Sequence, residues 1–284
     1  MGSVKFHRLE SQNPGPHLIV FGALHGEEPC GKLALERFLS EGHRLQSGTV
    51  TLIPICNPQA FEKNVLFVDA NLNRIFKKYD APQAYEEHLA NELTSLCDQA
   101  DCLLDLHSST GDGGPYLFID HDTPENKNLA KATGLDRWVV GWTELYASLG
   151  SIESYDTTGY MHANGKAGIL IECGQHADPD APQIAYQCLR RVLHALGLLA
   201  FDSFKPHSAN SVARISHVIL REKQGRFTQE WVNFDPVRKG QPVIAYDDGS
   251  FATAPFDGFI LLPRKNAKPN EEWIYFGAPE SQSA

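Results

Sequence analysis

Five short apolar runs separated by helical stretches constrain this chain more than any other feature. They are "HLIVF" (17–21), "TVTLIPI" (Thr49–Ile55), "DCLLDLH" (Asp101–His107), "YLFID" (Tyr116–Asp120) and "AGILIE" (Ala167–Glu172). Between them lie amphipathic stretches such as "PQAYEEHLANELTSLC" and "APQIAYQCLRRVLHALGLLAF". Such alternation predicts an α/β fold with a mostly parallel sheet flanked by helices. After "FDSFKPHSAN" the texture changes to short strand-like runs punctuated by Gly, Pro, Asn and Asp. That change predicts a smaller all-β unit, dividing the chain into 1–204 and 205–284. Segment 57–80 has no clear period, and long loops of this kind often carry function.

Composition narrows the function classes. A net charge of −10 argues against a nucleic-acid or anionic-membrane surface, which needs a basic face. No apolar run approaches the roughly 20 residues that cross a bilayer. The opening "MGSVKFHRLESQNPGPH" has no apolar signal core, so a cytoplasmic location is expected. Six dispersed cysteines, without a Cys-x-x-Cys pair, are expected to be buried free thiols. Any metal chemistry then rests on His and carboxylates.

Candidate chemistry collects at the strand ends. In "GALHGEE", His25 and Glu28 are three residues apart, so both can face one ion if a helical turn begins there. The competing reading is a solvated glutamate near a helix N-terminus. His107 closes the third run, and Asp105, two residues earlier, points to the same side and can orient the imidazole. Glu172 closes the last run, where burial of an unpaired carboxylate is costly unless it has a task. Asn73 and Arg74 sit in the unpatterned loop, and the arginine fork suits a carboxylate. Each feature alone has an ordinary structural explanation. Together they fit an open zinc site with His25, Glu28 and His107 as ligands and a fourth position for water. Glu172 is then the general base and acid, while Asn73 and Arg74 hold a substrate carboxylate.

The ordered pieces "GALHGEE", "NPQAF", "DANLNRIF", "DLHSST" and "ILIECG" resemble the aspartoacylase/succinylglutamate desuccinylase family of zinc carboxypeptidase-like hydrolases. The resemblance implies zinc on His25, Glu28 and His107, catalysis by Glu172, and an N-acyl amino acid held by Asn73 and Arg74. It also implies a zinc carboxypeptidase-like sheet with an appended β-rich domain. Three positions depart from the aspartoacylase pattern. Leu66 stands where that branch has an arginine supporting the polarised carbonyl, with Lys63 or Asn64 as possible substitutes. Asn71 replaces an aspartate, and Leu262 replaces a tyrosine that helps hold substrate. Tyr160 and His162, in "TTGYMHANGKAG", are candidate replacement contacts.

The reading is a zinc amidohydrolase acting on a small anionic N-acyl amino acid. A metallocarboxypeptidase for short peptides is the alternative, and a silent ligand-binding relative the third. A β-unit that caps the cleft favours small substrates; an open groove favours peptides.

Overall fold

The structure is a computed structural model that describes residues 4–150, 156–200 and 209–280. The chain opens with β1 (His7–Glu10), β2 (His17–Gly22), α1 (Pro29–Ser40), β3 (Thr49–Ile53) and α2 (Pro58–Lys63). It continues through α3 (Tyr85–Cys97), β4 (Cys102–Ser109), β5 (Tyr116–Phe118), α4 (Pro124–Thr133) and β6 (Arg137–Val140). Next come α5 (Trp142–Ser148), α6 (Thr157–Ala163), β7 (Ala167–Gln175) and α7 (Ala181–Ala195). The remainder is β8 (Ser211–Leu220), β9 (Gly225–Phe227), β10 (Pro236–Val237), β11 (Pro242–Tyr246), β12 (Phe251–Thr253), β13 (Gly258–Leu261) and β14 (Glu272–Pro279).

Eleven strands form one mixed sheet in the order β1-β3-β2-β4-β7-β5-β6-β8-β14-β13-β10, and β12-β11-β9 form a small second sheet. The centre, β3-β2-β4-β7, is parallel. Its strands are buried on both faces, which explains their unbroken apolar runs. Side chains still alternate. Leu18 and Val20 enter a core beneath α1, α4 and α7, whereas Ile19 and Phe21 enter one beneath α3. Removing a fully buried ring such as Phe21 by substitution to Ala costs about 3–5 kcal/mol.

The late strands do not stand apart from this sheet. β8 lies parallel to β6, pairing Arg137 with Ser211 through Val140 with Arg214, and β14 then pairs with β8. Turn-rich composition revealed the short strands but not that four of them prolong the first sheet. The expected division at 204/205 lies outside the described residues. All six cysteines are buried free thiols. Among the described residues, no helix is long and apolar enough to cross a membrane.

Candidate metal centre and its cleft

Parallel strands bring their C-terminal ends, and the turns leaving them, to one edge of the sheet. His25 follows β2, and Glu28 stands at the N-cap of α1. His107 lies near the end of β4, directly opposite Glu172 on β7. Gly26 makes the His25–Glu28 turn possible, because a Cβ there would meet the Ala60 carbonyl carbon at 2.0 Å. The turn is thereby pressed against α2.

Glu28 turns its side chain to the two histidines rather than to the helix end. It occupies the N-cap, but its side chain makes no cap hydrogen bond. Instead Oε1 lies 2.9 Å from His25 Nδ1 and Oε2 lies 2.9 Å from His107 Nδ1. Oε2 also accepts a 3.2 Å hydrogen bond from the Ser108 amide. One ligand atom from each of His25, Glu28 and His107 falls within 4.8 Å of the others, and all three residues are buried.

The outer nitrogens are backed. His25 Nε2 is 3.0 Å from Asn71 Oδ1, an oxygen that also accepts from the Asn73 amide at 2.9 Å. An acceptor there keeps the proton on Nε2 and leaves the Nδ1 lone pair facing Glu28. His107 Nε2 approaches Asp105 Oδ1 at 3.0 Å, though the pair is poorly aligned for a hydrogen bond. Asp105 Oδ2 accepts from Thr157 Oγ1 at 2.6 Å. Two inward imidazole nitrogens and a buried carboxylate therefore converge on one point, where their electron pairs need protons or a cation between them. This donor set fits a divalent zinc with a position left open.

Charge balance in the cluster follows from its contacts. Burial opposes ionisation of Glu28, but His25 and His107 outweigh it and hold the carboxyl below the usual carboxylate range. Burial likewise opposes the charged form of His107, while Asp105 and Glu28 raise its pKa well above the ordinary value. Glu172 behaves oppositely. It is 8% exposed, its Oε2 has no hydrogen-bond partner, and burial with the nearby Glu28 charge raises its pKa to about 8.

A cleft opens over the cluster. Its walls include Asn73 and Arg74, together with Leu66, Leu262, Trp142, Glu272 and Tyr275. The loop that brings Asn71, Asn73 and Arg74 is tied down by Glu86, a fully buried residue in the first turn of α3. Glu86 Oε1 accepts from the Val68 amide at 2.7 Å and from Asn57 Nδ2 at 3.1 Å. Its Oε2 accepts from the Asp69 and Ala70 amides at 3.0 and 3.1 Å.

Arg74 is gripped from the other side. Its guanidinium lies 4.9 Å from the Trp142 ring and 5.2 Å from the Tyr146 ring. Burial disfavours its charge, but Tyr146, Tyr275 and Glu272 more than compensate and raise its pKa. Asp120 fixes these aromatics by accepting the Trp142 and Thr143 amides at 2.7 and 3.1 Å, at the start of α5. The sequence reading missed Glu86, Asp120, Trp142 and Glu272. Asp120 carried a usable signal, since it closes an apolar run as His107 and Glu172 do.

Tyr160 and His162 are not brought to the cleft. The Tyr160 hydroxyl donates to Asp98 Oδ1 at 2.7 Å, and its ring packs on Phe76. His162 is exposed and stacks on His121 at 3.6 Å. Both lie on α6, and neither is among the residues that line the cleft. Lys63 and Asn64 are exposed at the end of α2 and are absent from the cleft walls.

The chain is also similar to known proteins. Residues 14–198 match the family model of the succinylglutamate desuccinylase/aspartoacylase catalytic domain. An aspartoacylase from Xenopus tropicalis is 31% identical over 121 residues, covering 38% of this chain and 39% of that protein. An N-acyl-aromatic-L-amino acid amidohydrolase (carboxylate-forming) from Rattus norvegicus is 28% identical over 179 residues, 58% of this chain and 54% of its own. The match thus spans about two fifths of the aspartoacylase and about half of the amidohydrolase. A succinylglutamate desuccinylase/aspartoacylase structure from Rhodobacter sphaeroides superposes with a TM-score of 0.78 at 17% identity, covering 98% of this chain and 90% of that one. That likeness shows the shared fold. With the family model spanning well over half of its length, the chain belongs to the succinylglutamate desuccinylase/aspartoacylase family.

Proposed function

We propose that the protein is a zinc-dependent amidohydrolase that cleaves a small N-acyl amino acid into a carboxylate and an amino acid. The observation that carries this reading is the convergence of His25 Nδ1, Glu28 and His107 Nδ1 in the lining of a cleft also lined by Glu172. Zinc held by those three residues would polarise an amide carbonyl and lower the pKa of water. Asn71 and Asp105 keep the two imidazoles oriented for that duty. Glu172, opposite His107, takes the proton from the attacking water and delivers it to the departing amine nitrogen. Asn73 and Arg74 anchor the substrate carboxylate, with Arg74 kept charged by its aromatic and acidic surroundings.

The catalytic unit is residues 1–204, and strands of 205–284 supply one wall of its cleft. Leu262, Arg264, Glu272 and Tyr275 all come from that later part. Such a wall supports a small substrate over a peptide threading through an open groove. Leu66 and Leu262 make parts of the cleft apolar where the aspartoacylase pattern has an arginine and a tyrosine, which argues against an aspartate-type pocket. A screen of acetyl, succinyl and longer acyl amino acids, with dipeptides alongside, tests the reading. Release of free amino acid, abolished by chelation and restored by zinc, is expected. Cleavage of dipeptides alone would favour the carboxypeptidase alternative, and no turnover in any arm would overturn the proposal.

A further inference from the structure

Asp105 backs the cluster and Asn73 lines the cleft, and one residue touches both. Asp105 is fully buried, and its Oδ1 stands 3.0 Å from His107 Nε2 in a pair poorly aligned for a hydrogen bond. Among the described residues, its side chain accepts one well-formed hydrogen bond, from Thr157 Oγ1 to Oδ2 at 2.6 Å. A carboxylate can only accept, so the threonine hydroxyl donates, and that length is typical of a hydroxyl on a charged oxygen. The backbone amide of the same threonine donates to Asn73 Oδ1 at 3.2 Å.

An N–H can face only the oxygen of a carboxamide, so the Thr157 amide fixes which way Asn73 is turned. Oδ1 is spent on Thr157, which leaves Nδ2 without a partner among the described residues, on a residue that lines the cleft. Thr157 itself is fully buried and absent from the cleft walls, although its neighbours Asp156 and Thr158 line them. It is the first residue of α6, behind Asp156, whose Oδ1 caps the helix by accepting from the Gly159 amide at 2.5 Å. An amide in that position has no carbonyl of its own helix to reach, which frees it for Asn73.

We propose that Thr157 is a positioning residue for both duties of the site. Its hydroxyl holds Asp105 in place behind His107, and its amide turns Asn73 so that Nδ2 is presented to substrate. This rests on the amidohydrolase reading. No bond is made or broken at Thr157, and it touches neither metal nor substrate. Its two donors are separable, because a change of side chain removes one and proline removes both.

The test compares Thr157→Ser, Thr157→Val and Thr157→Pro in two measurements. One is zinc affinity by chelator competition; the other is KM at saturating zinc on the acetyl or succinyl amino acid that wild type turns over fastest. Thr157→Val keeps the shape and the amide but loses the hydroxyl. It should weaken zinc binding about 10- to 100-fold, as loss of such a backing group does, with KM within about threefold of wild type. Thr157→Ser keeps both donors and should bind zinc within about threefold of wild type. Proline is tolerated at the first position of a helix, and Asp156 before it is extended at ψ 172°, as a residue preceding proline requires. Thr157→Pro should therefore fold, match Thr157→Val in zinc affinity and raise KM about fivefold beyond it, the worth of one hydrogen bond. The inference is overturned if folded Thr157→Val binds zinc within about twofold of wild type, or if serine does not recover the loss. It is equally overturned if folded Thr157→Pro and Thr157→Val share one KM. Any of these outcomes beside a wild type that binds zinc and hydrolyses its substrate removes only this inference. A wild type that hydrolyses nothing removes the amidohydrolase reading and this inference with it.

Discussion

The two ends of the cleft are built by different means. At the end with the His-Glu-His cluster, His25, Glu28, His107 and Glu172 come from the ends of adjacent parallel strands and the turn after one of them. At the other end, Arg74 arrives on a single 3-10 turn (Leu72–Arg74), Trp142 on a short helix, and Glu272 and Tyr275 on a late strand. The first end depends on strand register; the second depends on elements distant in sequence meeting in one sheet. Metal binding and proton transfer should therefore respond to substitutions near the strand ends, while substrate affinity should respond to the other group.

The largest separation of the two ends should come from Glu172→Gln. It removes the carboxylate proposed to carry the proton but none of the three clustered residues, so kcat should fall about 10³-fold or more with zinc content unchanged. Turnover together with zinc titration checks both halves. Arg74→Lys acts at the other end. It keeps the charge but loses the planar fork, and about 1.5–3 kcal/mol of charged hydrogen bonding raises KM roughly 10- to 100-fold with little change in kcat. A fall in kcat with unchanged KM would move Arg74 out of substrate binding and blur the contrast.

Glu86→Gln probes the scaffold between them. The amide keeps one acceptor oxygen where the carboxylate has two, so the Asp69 and Ala70 amides, or the Val68 amide and Asn57 Nδ2, lose their acceptor. Burying such donors unpaired costs about 1–3 kcal/mol, visible as a lower denaturant midpoint. The smallest effect concerns pH. In metal-stripped protein, burial and the Glu28 charge raise the Glu172 pKa from 4.5 to about 8. The folded state then holds this proton more tightly than the unfolded chain, so its contribution to stability is lost as pH rises across that interval. Glu172→Gln removes that loss, and the variant should gain on wild type between pH 4.5 and 8 in paired unfolding curves. A pH-independent difference would show that the carboxyl is not held protonated there.

The same contrast decides what could be read from sequence. His107 and Glu172 stand out because each ends an apolar run, and a period of two places Asp105 behind the histidine. His25 and Glu28 stand out by their three-residue spacing beside another such run. These are local patterns, and local geometry carries them into the structure. The grip on Arg74 has no such pattern. Tyr146 donates to Glu272 across 126 residues of sequence, and no periodicity in either segment announces that pairing. Glu86 was equally hidden, since an acidic residue in a first helical turn is ordinary; only the fold reveals its four donors. Tyr160 and His162 illustrate the converse. Proximity in sequence to the Glu172 strand suggested a place in the cleft, but α6 directs their side chains towards Asp98 and His121.

The central claim is that His25, Glu28 and His107 hold a catalytic zinc. Its most direct test is metal analysis of the purified protein by mass spectrometry, set beside Glu28→Ala and His107→Ala variants shown to be folded. About one zinc per wild-type chain, lost in both variants together with amide hydrolysis, is the expected result. Wild-type protein that binds no zinc when supplied with it, or folded variants that retain zinc as tightly as wild type, would contradict the account.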